Sequence, residues 1–132
     1  MNQADLLRSR NRVAVLVRHQ NRCGSHRNCV RMSAANSALH ELAKATLSLR
    51  LICQGHEIIT EAIFSTGGRA DVLDLDTGTA YEIVCSEDDK SLESKAHRYP
   101  ELLEVVKVEA TKGTPFSLEL THTPIRGRRA EW

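Results

Sequence analysis

Two Phe, two Tyr and one Trp are all the aromatic residues in 132. Without rings to fill space, a core must be assembled from Leu, Ile, Val and Ala. No stretch approaches the roughly 18 consecutive apolar residues of a membrane span, and the amino-terminal residues lack a signal-like apolar run, so the expectation is a soluble, intracellular protein with no membrane partner. Also missing are a Ser-His-Asp arrangement and a dinucleotide fingerprint. Gly67-Gly68 is too short for a phosphate-binding loop and precedes a strand instead of a helix. Those absences remove the commonest hydrolase, kinase and dehydrogenase signatures.

Four cysteines are present, and in an intracellular setting they are read as thiols. Cys53 and Cys85 sit among apolar residues and are expected in the core. His19, Cys23, His26 and Cys29 offer zinc-ligand chemistry, but the spacing is compressed and no second knuckle follows. Two thiols on a polar connector is the favoured reading, and zinc the alternative.

What the chain does have is charge, unevenly placed. Residues 1–50 hold 9 Lys or Arg against 2 acids, and residues 51–132 hold 9 against 15, which makes +7 beside −6 in a chain of net +1. A basic arm next to an acidic core suits a protein that grips phosphates with one surface and concentrates cations on another.

The pattern predicts a basic amphipathic helix over 4–20, a loop near Gly24, and a helix from about Ser33 to Gln54 capped by Gly55. Leu39, Leu42, Ala43, Thr46, Leu49 and Cys53 form the expected buried stripe of that helix, with Glu41 at its edge and His40 pointing away. Strands are expected over 56–64, 69–76 and 80–86, a helix from the capping box Ser86-Glu87-Asp88-Asp89 to Tyr99, then strands over 103–110 and 116–121. Leu92, Ala96 and Tyr99 should face inward with Lys95 on the flank. The domain division is a basic helical arm over 1–32, one core over 33–122, and a mobile basic tail over 123–132.

The most informative stretch is 67–87, a hairpin carrying Asp71 on one arm and Glu82 on the other. With Thr77 and Gly78 as the turn centre, Asp71 pairs with Val84 and Glu82 with Leu73. The two acids are then diagonal neighbours on one face, roughly 7–8 Å apart at Cα, where they could share a hard cation. Glu61, late in the preceding strand, is a further acid at this end.

The order helix, three strands, helix, strand, with acids at Glu41, Asp71 and Glu82, resembles the core of the PD-(D/E)xK nuclease superfamily over roughly residues 36–110. Gly68-Arg69-Ala70-Asp71-Val72-Leu73 and Tyr81-Glu82-Ile83-Val84 are similar to its motif hairpin. The helix bearing Glu41 looks like that of archaeal Holliday-junction resolvases. Ser86, Glu87, Lys95 and Tyr99-Pro100 look like a small branch found in archaea and their viruses.

The resemblance implies an α/β (α+β) restriction-endonuclease-like αβββαβ core with a mixed central sheet, and a homodimer cutting DNA, branched or structured DNA included. It implies Mg²⁺ or Mn²⁺ held by Glu41, Asp71, Glu82 and the Ile83 carbonyl, and DNA contacts from Arg8, Arg10, Arg12, Arg18 and Arg69. One departure stands out. Where the family carries a lysine two residues after its glutamate, this chain has Val84, and Lys95, or less readily Lys90, is the substitute the sequence offers. A catalytically inactive nucleic-acid-binding module of the same fold is the alternative, and a zinc-holding regulator built on Cys23, His26 and Cys29 is a third.

Overall fold

A computed structural model of the chain describes residues 2–18, 26–85, 95–112 and 118–127. Its elements are α1 (Gln3–Ala14), α2 (Ala38–Cys53), β1 (Ile58–Ile63), β2 (Arg69–Asp74), β3 (Thr79–Val84), β4 (Glu104–Lys112) and β5 (Leu118–Arg126). The strands form one mixed α+β sheet in the order β1-β2-β3-β4-β5, in which only the β3–β4 pair is parallel. Each expected strand is present, and β5 lies on the edge. The expected helix over 86–99 falls largely outside the described residues, but Lys95 and Ala96 are helical, and Ala96 and Tyr99 are buried.

Two apolar clusters lie on the two faces of the sheet. Val13 and Val17 pack with Ile59, Phe64, Leu73, Leu75, Ala80, Tyr99 and Leu103 on one. Ala43, Leu47 and Leu51 of α2 pack with Ile58, Val72, Ile83, Val106 and Val108 on the other.

α1 is shorter than expected. After Ala14 the helix tightens into turns, the Leu16 N–H donating to the Val13 carbonyl and the Val17 N–H to the Ala14 carbonyl, both at 3.1 Å. Val17 bridges Phe64, and the Arg18 N–H donates to the Ile63 carbonyl at 2.6 Å. The arm is thus part of the core assembly, not a detached module. The carboxyl-terminal tail also begins later than expected, because β5 runs to Arg126.

α2 starts at Ser37, whose hydroxyl accepts the His40 N–H, and ends where Gly55, at φ +86°, turns the chain out. Its buried face differs from the expected stripe. Glu41, Ala43, Lys44, Leu47, Ser48 and Leu51 are buried, whereas Leu42 and Leu49 are 55% and 62% exposed. The helix carries two apolar stripes, and the sheet takes the one formed by Ala43, Leu47 and Leu51. Cys53 and Cys85, expected in the core, are exposed, as is Cys29. Of the candidate zinc ligands, His19 and Cys23 lie outside the described residues.

The hairpin register also differs. β2 and β3 pair as Val72 with Tyr81, Leu73 with Ala80 and Asp74 with Thr79. The four-residue turn 75–78 is closed by the Gly78 N–H on the Asp74 carbonyl, and the Asp74 carboxylate accepts the Asp76 N–H. Counting on from these pairs sets Asp71 opposite Glu82, instead of opposite Val84.

Candidate active-site cleft

A cleft of about 520 Å³ opens at the end of the sheet near the β1–β2 turn, and Asn36, His40, Arg69, Asp71, Glu82, Ile83, Lys95 and Arg98 are among its lining residues. Its two lining acids, Asp71 and Glu82, come from the neighbouring strands β2 and β3. β2 and β3 stop pairing before they reach Asp71 and Glu82. In place of a main-chain partner, the Ile83 N–H donates to Asp71 Oδ2 at 2.8 Å. Glu82 is buried and stands in register with Lys107 of β4.

Glu61 is a point of backbone strain. It holds φ +54° inside β1, a conformation that costs a non-glycine residue on the order of 1 kcal/mol. Register counting sets it opposite Asp71, at the one gap in the β1–β2 pairing. The twist aims its carboxylate at Lys44 (2.7 Å) and at Arg69 (3.5 Å).

Lys44 is the residue that sequence reasoning missed. Its side chain is 0% exposed, and its Nζ lies 2.7 Å from both Glu41 Oε2 and Glu61 Oε1. The available signal was its place beside Ala43, one turn before Leu47 and Ser48. A stripe containing two charges reads as a solvent face, and that obscured it.

Glu41 is saturated. Its Oε2 accepts the Ser33 N–H as well as Lys44, and its Oε1 accepts Asn36 Nδ2 at 2.9 Å and stands 3.0 Å from His40 Nδ1. Burial works to raise its pKa, but the hydrogen bonds from Lys44, Ser33, Asn36 and His40 outweigh burial and hold it at about 2. His40, expected to point away, faces the cleft because the helix is turned to its other stripe. Its Nε2 lies 3.4 Å from Asp71 Oδ2. Asp71 first, and then Glu41, raise the His40 pKa against the opposing effect of burial.

Of the cations expected to touch DNA, Arg69 alone lines the cleft. Arg10, also expected there, instead locks α1 to the far end of the sheet, pairing with Glu57 at 2.6 Å and Asp76 at 2.9 Å and donating to the Gly55 carbonyl at 3.0 Å. Hydrogen bonding to Asp76 is the main reason its pKa is raised. Arg8 pairs with Asp5 on its own helix, and Arg12 and Arg18 are exposed. Lys95 does line the cleft.

Carboxylates supply the hard oxygens that Mg²⁺ or Mn²⁺ prefers. Asp71 and Glu82 fit that chemistry, whereas Glu41 has both oxygens committed to protein donors. Among the described residues no three His, Cys, Asp or Glu side chains stand in a metal-holding arrangement. No helix of the described residues is long and apolar enough to cross a membrane. No protein-family model, curated protein or solved structure matches this chain.

Proposed function

We propose that the chain is a metal-dependent endonuclease with a restriction-endonuclease-like core, hydrolysing phosphodiester bonds of DNA, branched or structured DNA included. The observation that carries this reading is the meeting of Asp71 and Glu82 at one cleft, where Glu41 holds the lining residues Asn36 and His40. The strand order and the single parallel pair, with a helix ahead of the first strand, agree with the core that the sequence resembles.

Asp71, Glu82 and the Ile83 carbonyl would hold the ion, which supplies Lewis-acid polarisation of the phosphate and a bound water of lowered pKa. Glu41 acts differently from a ligand. Together with Glu61 it holds Lys44, and together with Asp71 it holds His40. Lys44 is too deep to meet a substrate, so it is a positioning residue that fixes Glu41 and Glu61 in place. Lys95 at the rim is the cation placed to meet developing negative charge on the phosphate.

The enzyme is proposed to work as a homodimer. Leu42, Thr46, Leu49 and Cys53 recur at spacings of three and four along the outer side of α2, the repeat by which helices pair. Among the exposed positions of that helix Arg50 is the one charged residue. A clean monomer in light scattering at micromolar concentration would count heavily against the dimer.

The alternative is a nucleic-acid-binding module without turnover, and the saturation of Glu41 together with Val84 favours it. Cleavage of labelled duplex, single-stranded and four-way-junction DNA with Mg²⁺, with Mn²⁺ and with EDTA separates the two. The nuclease cuts with metal and loses cutting, but not binding, in Asp71→Ala. Binding without cutting under every condition refutes it.

A further inference from the structure

Residues 95–103, between β3 and β4, contain only two helical positions, yet they are tied down from three directions. Thr66 Oγ1 donates to the Arg98 carbonyl at 2.5 Å, and the Tyr99 hydroxyl donates to the Arg69 carbonyl at 2.6 Å. The Tyr99 ring stands edge-on to Phe64 with centroids 5.3 Å apart. Gly68 packs so closely that a Cβ there would lie 2.5 Å from Tyr99 Cδ1 and 2.9 Å from the Arg98 carbonyl. From β5, Arg126 donates to the carbonyls of Ala96 (3.0 Å), Tyr99 (3.4 Å), Pro100 (2.6 Å) and Leu103 (3.1 Å).

Ala96, Tyr99 and Leu103 seat this segment in the apolar cluster on one face of the sheet. The same anchors fix the rim of the cleft. Tyr99 holds the backbone of 98–99 against Arg69, so Arg69 and Arg98 flank the same opening with Lys95. The cleft is therefore bipolar, lined by the acids Asp71 and Glu82 on the strands and by the cations Arg69, Lys95 and Arg98 at its rim. An anion is repelled by those acids and attracted to that rim.

We propose that Arg98, together with Arg69, forms a subsite for a nucleic-acid phosphate flanking the scissile one, and that Arg126 is the positioning residue that sets it. The ligand's identity rests on the nucleic-acid reading above. Arg126 acts through the main chain. Its planar fork reaches carbonyls from four residues at once, which a lysine cannot do, and the strap it fixes carries Arg98 to the cleft.

The test is fluorescence anisotropy of a labelled oligonucleotide with the full chain across a salt series. The variants are Arg98→Ala, Arg126→Lys and the two combined. Arg98→Ala should weaken binding several-fold and lower the log–log salt slope by about 1, the signature of one lost phosphate contact. Arg126→Lys should give a similar loss together with faster amide exchange over 96–103, and the double variant should bind no worse than Arg98→Ala alone. An unchanged slope in Arg98→Ala overturns the subsite. Losses that simply add in the double variant overturn the role of Arg126. Arg98 is exposed, so its replacement carries the test even if Arg126→Lys does not fold. A chain that binds with these slopes but never cuts refutes the nuclease and leaves the subsite standing. A chain that cuts while Arg98→Ala keeps its slope does the reverse.

Discussion

Replacing Lys44 with Met keeps most of the side-chain volume and removes the charge. Two acids, Glu41 and Glu61, then face the vacated position, each 8% exposed. Breaking a buried pair by deleting one partner costs about 3–5 kcal/mol. Here the cost falls towards and below the bottom of that range, because both acids keep other partners. Glu41 keeps Ser33, Asn36 and His40 as partners, and Glu61 keeps Arg69, whose side chain is 60% exposed and correspondingly weak. A loss of about 2–4 kcal/mol at pH 7 is expected. At roughly 3–5 °C per kcal/mol for a chain of this size, the melting temperature should fall by about 10 °C.

Urea denaturation followed by circular dichroism measures the loss, and its cause is tested by rescue. If the cost is uncompensated carboxylate, adding Glu41→Gln and Glu61→Gln to Lys44→Met should restore more than half of it, although each deletes a further hydrogen-bond acceptor. A Lys44→Met protein within about 1 kcal/mol of the parent, or one that the two glutamines do not rescue, would refute the claim that Lys44 neutralises these acids.

Other outcomes follow from the same geometry. Glu41 has its pKa lowered to about 2 from 4.5, so its stabilisation is fully present above pH 4.5 and is lost as pH falls towards 2. That amounts to at most about 3 kcal/mol, and Glu41→Gln should flatten acid denaturation in that window. Gly68→Ala drives a methyl into the Tyr99 ring and the Arg98 carbonyl. It should cost about 1–3 kcal/mol in urea melts and disturb exchange over 96–103 first. Leu42→Glu with Leu49→Glu changes exposed positions, so light scattering should report a monomer while the melting temperature stays within a few degrees.

The sheet was legible in the sequence because each strand is a short alternating run closed by turn residues, and observed ends fall within about two residues of expectation for the first three. Asp71 and Glu82 were legible for the same reason. The face of α2 was not. The stripe of Ala43, Leu47 and Leu51 is interrupted by Glu41, Lys44 and Ser48, and the one with Leu39, Leu42 and Leu49 is the more hydrophobic, so periodicity alone selects the latter. What reverses the choice is a long-range ion pair, Lys44 with Glu61, across 17 positions of chain. Turning the helix to make that pair also swings His40 into the cleft. Arg10 was misread for a related reason: composition marks a basic helix, but its acidic partners at positions 57 and 76 are assigned to it only by the fold. The two-residue error in register came from treating Asp76-Thr77-Gly78-Thr79 as a tight turn, when the Asp74 side chain stabilises a wider one.

Val84 then takes on a more specific meaning. A lysine on β3 beside Glu82 would perform two tasks, balancing the acids at the cleft floor and meeting charge on the phosphate. On the proposed nuclease reading, those tasks would fall to different elements in this chain. The floor is balanced from α2 by Lys44 and His40, and the rim is cationic from the strap through Lys95 and Arg98. The separation is testable in one assay series. Lys44→Met should lower stability and turnover together, because it acts through the acids. Lys95→Ala should lower kcat while leaving the melting temperature unchanged, since its side chain is exposed at the rim. If Lys95→Ala leaves kcat intact, the division is wrong, and Val84 marks a chain that kept the cleft to bind and not to cut.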